Sequence, residues 1–167
     1  MRPERQTVWS PERLMVARPI LLVDDDKETV EVLQQVLERD GFRCLAAHTA
    51  AEAYELFRTH EVAAALIDFE LPDMTGVELI QALKRERPEV PLLLMTGNPS
   101  QQVLIEACEA GAYTYLRKPL NLQKVRELLA RAVERGGSGS AVGWTEISQE
   151  RSRSVLVRWR RWIVWRR

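Results

Sequence analysis

Short apolar runs punctuate the chain at regular intervals: Ile20-Leu21-Leu22-Val23, Ala64-Ala65-Leu66-Ile67, Pro91-Leu92-Leu93-Leu94-Met95 and Ala112-Tyr113-Thr114-Tyr115-Leu116. Uninterrupted runs of this length read as strands buried on both faces, of the kind found in parallel sheets. A weaker run, Phe42 to Ala47, adds a fifth strand. The stretches between them change to helical spacing. Residues 27–39 carry Val30, Leu33, Val36 and Leu37 on one face, with Gly41 beyond as a stop signal. Thr49-Ala50-Ala51-Glu52 is a capping-box pattern opening a helix with Ala53, Leu56 and Phe57 inward. Val77, Ile80 and Leu83 predict a third helix ending near Pro88. Val103, Leu104, Ala107 and Cys108 predict a fourth that runs to Gly111. Asn121 caps a fifth, which buries Leu122, Val125, Leu128, Leu129 and Ala132.

Five strands alternating with five helices imply an α/β fold, because parallel strands need crossover connections. The sheet is doubly wound, covered by helices on both faces, and each crossover is right-handed. The expected organisation is an N-terminal extension over 1–18, one folded domain over 19–135, a Gly/Ser-rich flexible linker over 136–150 and a tail over 151–167. Met15 is the expected natural start, with residues 1–14 an addition.

The zero formal net charge hides a segregation. Residues 151–167 hold seven Arg and no acid, so the other 150 residues carry 17 bases against 24 acids, a net of −7. An acidic body does not have the electrostatic footprint of a nucleic-acid-binding surface. Cys44 and Cys108 lack metal-ligand spacing and read as reduced thiols. With no run near the roughly 18 apolar residues of a membrane span and no secretory leader, the expected location is the cytoplasm.

The candidate chemistry sits where the apolar runs stop. The first run ends in Asp24-Asp25-Asp26 and the third in Asp68, while Thr96 follows the fourth and Lys118 the fifth. At the carboxyl ends of neighbouring parallel strands such side chains converge on one crevice. Three carboxylates placed together need a counter-charge to stay ionised. Mg²⁺ suits a few carboxylates plus waters plus a phosphate, and a Lys and a Thr hydroxyl beside them can hold phosphoryl oxygens. Taken singly each residue has a plainer reading: an acidic turn, a helix cap, a half-buried strand Tyr, a surface Lys beside a turn Pro. Their order, each after its own apolar run, makes the combination informative.

This pattern, over about residues 19–134, resembles the receiver domain of two-component response regulators, of the chemotaxis-regulator type. The resemblance implies a flavodoxin-like (βα)5 fold with strand order 2-1-3-4-5. It implies that Asp68 accepts the phosphoryl group, that Asp24 and Asp25 hold Mg²⁺ with Asp68, and that the backbone carbonyl of Glu70 completes the metal shell. Thr96 would bond the phosphoryl group, Tyr115 would be the aromatic switch, and Lys118 would pair with the phosphoryl group. The Lys118–Pro119 bond is expected to be cis. Gly97 stands where the family usually has a small residue, often Ala; Glu70 and Asn98 occupy positions that tune phosphoryl lifetime.

The implied activity is phosphoryl transfer from a sensor histidine kinase or histidine phosphotransfer protein to Asp68. The only catalysis is of the domain's own phosphorylation and dephosphorylation. The output surface would be the face made by the fourth helix, fifth strand and fifth helix, presented to a partner or a second copy. Two other classes compete: a docking module independent of phosphorylation, and an aspartyl-nucleophile phosphatase. The second wants an Asp two residues after the nucleophile, where this chain has Glu70. The tail, with Trp159, Trp162 and Trp165 among its arginines, fits contact with an anionic surface or a non-native end better than a nucleic-acid arm.

Overall fold

The computed structural model describes residues 18–134. The elements alternate as β1 (Ile20–Val23), α1 (Lys27–Arg39), β2 (Cys44–Ala47), α2 (Ala50–Thr59), β3 (Ala64–Asp68), α3 (Gly76–Glu86), β4 (Leu92–Thr96), α4 (Gln101–Glu109), β5 (Thr114–Arg117) and α5 (Leu122–Glu134). The expected extension, linker and tail, and the expected Met15 start, lie outside the described residues.

All pairings are parallel, and the strand order is β2-β1-β3-β4-β5, the doubly wound arrangement expected. Every residue of β1, β3 and β4 is buried, which explains why these runs lack polar alternation. Alternate side chains feed two cores. Leu21, Ile67 and Leu94 pack with Phe57, Ile80 and Leu83 from α2 and α3. Ile20, Leu66 and Leu93 pack with Leu33 from α1 and Val125 and Leu129 from α5. The helix α4 is seated more shallowly: Ala107 is its one fully buried residue, while Val103, Leu104 and Ile105 are half-exposed.

Two strand starts differ from expectation for one reason. Gly41 and Gly111 both take φ of +89°, the left-handed conformation that ends a helix. The residues after them close the caps: Phe42 N–H donates to Leu37 O at 3.0 Å and Ala112 N–H to Ala107 O at 2.9 Å. Phe42 and Ala112 are therefore buried helix-closing residues, and β2 and β5 begin at Cys44 and Thr114. The capping box expected at Thr49 and Glu52 is half formed. Thr49 Oγ1 accepts from Glu52 N–H, but Glu52 Oε2 accepts from His48 N–H. The complete box belongs to Thr75 and Glu78, at the start of α3.

The chain leaves β1 for β2 on one side and returns to β3 on the other, so the strand order reverses between β1 and β3. The loops after those two strands part there, opening a crevice at their carboxyl ends.

Candidate functional site

The residues that end β1 and β3 fill that crevice. Val23 pairs in register with Ile67, which sets Asp24 and Asp68 side by side one residue later. Both are buried, at 1% and 5% exposure, whereas Asp25 is exposed. One carboxylate oxygen from each of Asp24, Asp25 and Asp68 lies within 4.8 Å of the others. The register of β4 against β5 and a hydrogen bond from Lys118 N–H to Thr96 O, at 2.8 Å, carry Lys118 to the same end of the sheet. Its Nζ bridges the pair, 2.7 Å from Asp24 Oδ2 and 2.8 Å from Asp68 Oδ1. The Lys118–Pro119 peptide is cis, as expected.

The electrostatics follow from this packing. Burial pushes the Asp68 carboxyl above the usual aspartate range; Lys118 pulls it down and Asp24 pushes it further up. Burial alone would weaken the charge on Lys118, but its bonds to Asp24 and Asp68 outweigh that and raise its pKa. The pocket thus holds three carboxylates against one ammonium. That excess of negative charge, on hard oxygen donors partly open to solvent through Asp25, fits a divalent cation of the Mg²⁺ type.

The other expected residues are placed less tightly. Thr96 is buried at the end of β4, and its Oγ1 accepts from Asn98 N–H at 3.3 Å. Glu70 is exposed, and its backbone bridges to Thr75 across the loop after β3. Tyr115 is half-buried against the core on the α2–α3 face. Gly76 closes the loop from below. A side chain there would strike the Asp68 backbone, with a Cβ lying 2.9 Å from its carbonyl carbon. Two residues not expected from the sequence bond backbone groups of the surrounding loops: His48 the Asp24 carbonyl, and Asp73 the Ala50 and Ala51 N–H groups.

The comparisons with known proteins agree with this architecture. A family model of the response regulator receiver domain matches residues 20–130. The response regulator protein PilR of Pseudomonas aeruginosa is 34% identical over 119 residues, covering 71% of this chain and 27% of that protein. The phosphate regulon transcriptional regulatory protein PhoB of the same organism is 29% identical over 135 residues, covering 80% of this chain and 59% of that protein. A CheY-like response regulator receiver domain protein from Methanospirillum hungatei superposes with a TM-score of 0.66 at 32% identity, covering 72% of this chain and 99% of that one. The beryllofluoride-activated NtrC4 receiver domain dimer superposes at 0.67 with 27% identity, covering 70% of this chain and 97% of that one. The chain belongs to the response regulator receiver domain family, the signalling domain of two-component systems. It spans less than two thirds of the length of PilR and PhoB. Among the described residues, no helix is long and apolar enough to cross a membrane.

Proposed function

We propose that residues 19–135 form a phosphoacceptor receiver in which Asp68 takes a phosphoryl group from a phosphohistidine on a sensor histidine kinase or phosphotransfer protein. The observation that carries this reading is the Lys118 ammonium bridging Asp24 and Asp68 at 2.7 and 2.8 Å beside a third carboxylate. A charge set of this kind is costly to bury and serves phosphoryl transfer directly, where catalysis is positioning and charge neutralisation.

In the step itself an Asp68 carboxylate oxygen forms a bond to phosphorus as the phosphorus–nitrogen bond to the donor imidazole breaks. The leaving nitrogen keeps the electron pair. Lys118 favours the ionised form of Asp68 before transfer and can move its ammonium onto a phosphoryl oxygen afterwards. Thr96, buried at the end of the neighbouring strand β4, offers a hydroxyl to another. Asp24, Asp25 and Asp68, with the Glu70 carbonyl, are the residues that would hold Mg²⁺, which when bound supplies neutralisation of the clustered oxygens. Hydrolysis of the acyl phosphate resets the domain.

The added charge of about −2 biases a two-state packing in which Thr96 moves toward the phosphoryl group and Tyr115 follows. The output face is then α4, β5 and α5, presented to a partner or a second copy. Likeness to a solved receiver domain dimer supports the second-copy arrangement. Intact mass after incubation with acetyl phosphate tests the chemistry. One phosphoryl should appear on the wild type only with Mg²⁺ and never on Asp68→Asn. No adduct, together with no beryllofluoride complex, would reject the proposal in favour of a phosphorylation-independent docking module.

A further inference from the structure

Three loops surround the acidic pocket, and one side chain fastens two of them. Asp73 stands at the tip of the loop between β3 and α3. The base of that loop is closed by the Glu70–Thr75 bridge and by Gly76 N–H donating to Phe69 O at 2.8 Å. From the tip, the Asp73 carboxylate reaches α2, where Oδ1 accepts from Ala50 N–H and Oδ2 from Ala51 N–H, each at 2.9 Å. These are first-turn amides, which have no partner within their own helix. Thr49 Oγ1 serves the next one, Glu52 N–H.

The connection continues to the metal-binding side. His48, just before the cap, places Nδ1 3.0 Å from the Asp24 carbonyl oxygen. A carbonyl only accepts, so Nδ1 carries the proton in this contact. Asp24 Oδ1 in turn accepts from Asp26 N–H at 3.0 Å. A chain of hydrogen bonds therefore links the loop carrying Glu70 to the loop carrying Asp24 and Asp25, through the first turn of α2. The Asp73 end stays ionised. Some desolvation opposes the charge, but the N–H groups of Ala50, Ala51, Asp73 and Met74 outweigh it and hold the exposed carboxyl below the usual range.

We propose that Asp73 is a positioning residue: its two-pronged brace onto the start of α2 fixes the loop after Asp68 relative to the Asp24–Asp25 pair, and so sets metal affinity and the rate of phosphoryl uptake. This rests on the receiver reading above. The plainer alternative is a carboxylate that merely caps α2. Both make the same two bonds, but they differ in reach. A cap affects only its own helix, whereas a brace couples the segment 48–52 to the segment 69–76.

The test uses the full chain as wild type, Asp73→Asn and Asp73→Ala. Both variants lose the charge, and only Asn keeps an acceptor. Hydrogen exchange without metal should speed up about tenfold in Asp73→Ala, in both segments together, as expected for losing bonds to a charged acceptor. The Mg²⁺ dissociation constant, by calorimetry, should rise about tenfold, the usual scale for a group that orients metal ligands. The rate of uptake from acetyl phosphate should fall in step, with Asp73→Asn between wild type and Asp73→Ala in all three. Equal weakening in Asn and Ala would reduce the effect to lost charge and overturn the brace. So would faster exchange confined to 48–52 with unchanged Mg²⁺ binding. If the wild type neither binds Mg²⁺ nor takes up a phosphoryl group, the receiver chemistry fails, and the exchange pattern alone decides the brace.

Discussion

Replacing Asp68 with Asn should stabilise the metal-free protein. At an effective dielectric of 20, two carboxylates at the outer limit of 4.8 Å each repel Asp68 by about 3.5 kcal/mol, the least the spacing allows, and Lys118 at 2.8 Å attracts it by about 6 kcal/mol. These terms nearly cancel, which leaves the desolvation of a carboxylate that is only 5% exposed. The net effect of ionisation is unfavourable, in keeping with the raised pKa and its leading cause, burial. Asn keeps the shape and hydrogen-bonding capacity without the charge, so the expected gain is about 1–2 kcal/mol, or about 4 °C in Tm per kcal/mol.

The pH dependence has a definite sign. A carboxyl whose folded pKa is raised binds its proton more tightly in the native state, so wild-type stability falls as pH rises from the usual aspartate range through the folded value. The advantage of Asp68→Asn is therefore absent below that window and complete above it. Urea denaturation of both proteins in chelator, at pH 7.5 and at pH 4, measures this directly. Saturating Mg²⁺ should reverse the order, since a ligand at 100 times its dissociation constant adds about 2.7 kcal/mol to the form that binds it. An Asn variant less stable than wild type in chelator at pH 7.5, or a difference that does not change with pH, would refute the reasoning.

Four further outcomes follow from packing and burial. Gly97→Ala should be neutral or stabilise by up to about 1 kcal/mol, because a Cβ there meets nothing within 4 Å. Gly76→Ala should lose phosphoryl uptake and destabilise, since its Cβ strikes the Asp68 backbone; paired thermal melts and uptake assays compare the two. Thr114 Oγ1 is fully buried and has no hydrogen-bond partner among the described residues, so Thr114→Val should raise stability by about 1 kcal/mol in a denaturant titration. Burial pushes the Cys44 thiol up to about 12, so it should resist iodoacetamide at pH 8 in the native state and react on unfolding, as read by mass.

The sequence announces β1, β3 and β4 because strands buried on both faces carry unbroken apolar runs, and it places Asp24 and Asp68 at the ends of two of them, with Lys118 just after the mixed run of β5. What it conceals is where an apolar residue serves something other than a strand. Phe42 and Ala112 look like strand starts, yet their N–H groups return to Leu37 and Ala107 to close helices. Local patterning cannot separate those uses, since both want a buried apolar side chain after a Gly. The brace was hidden for a different reason. Asp73 bonds backbone amides 23 and 22 residues upstream, and His48 bonds a carbonyl 24 residues upstream. Backbone partners leave no mark in side-chain identity. Asp73 reads as an ordinary turn residue after Pro72.

The shallow seating of α4 has an energetic consequence for the proposed output. With Ala107 alone fully enclosed, little apolar contact is forfeited when this helix shifts or frays, so its opening free energy should be the smallest among the five described helices and its amides the fastest to exchange of theirs. A ligand moves an equilibrium only by its difference in affinity for the two states. An element held this lightly lets a modest event at Asp68, or a modest preference in a partner, redistribute the population, while the buried strands beneath it keep their register.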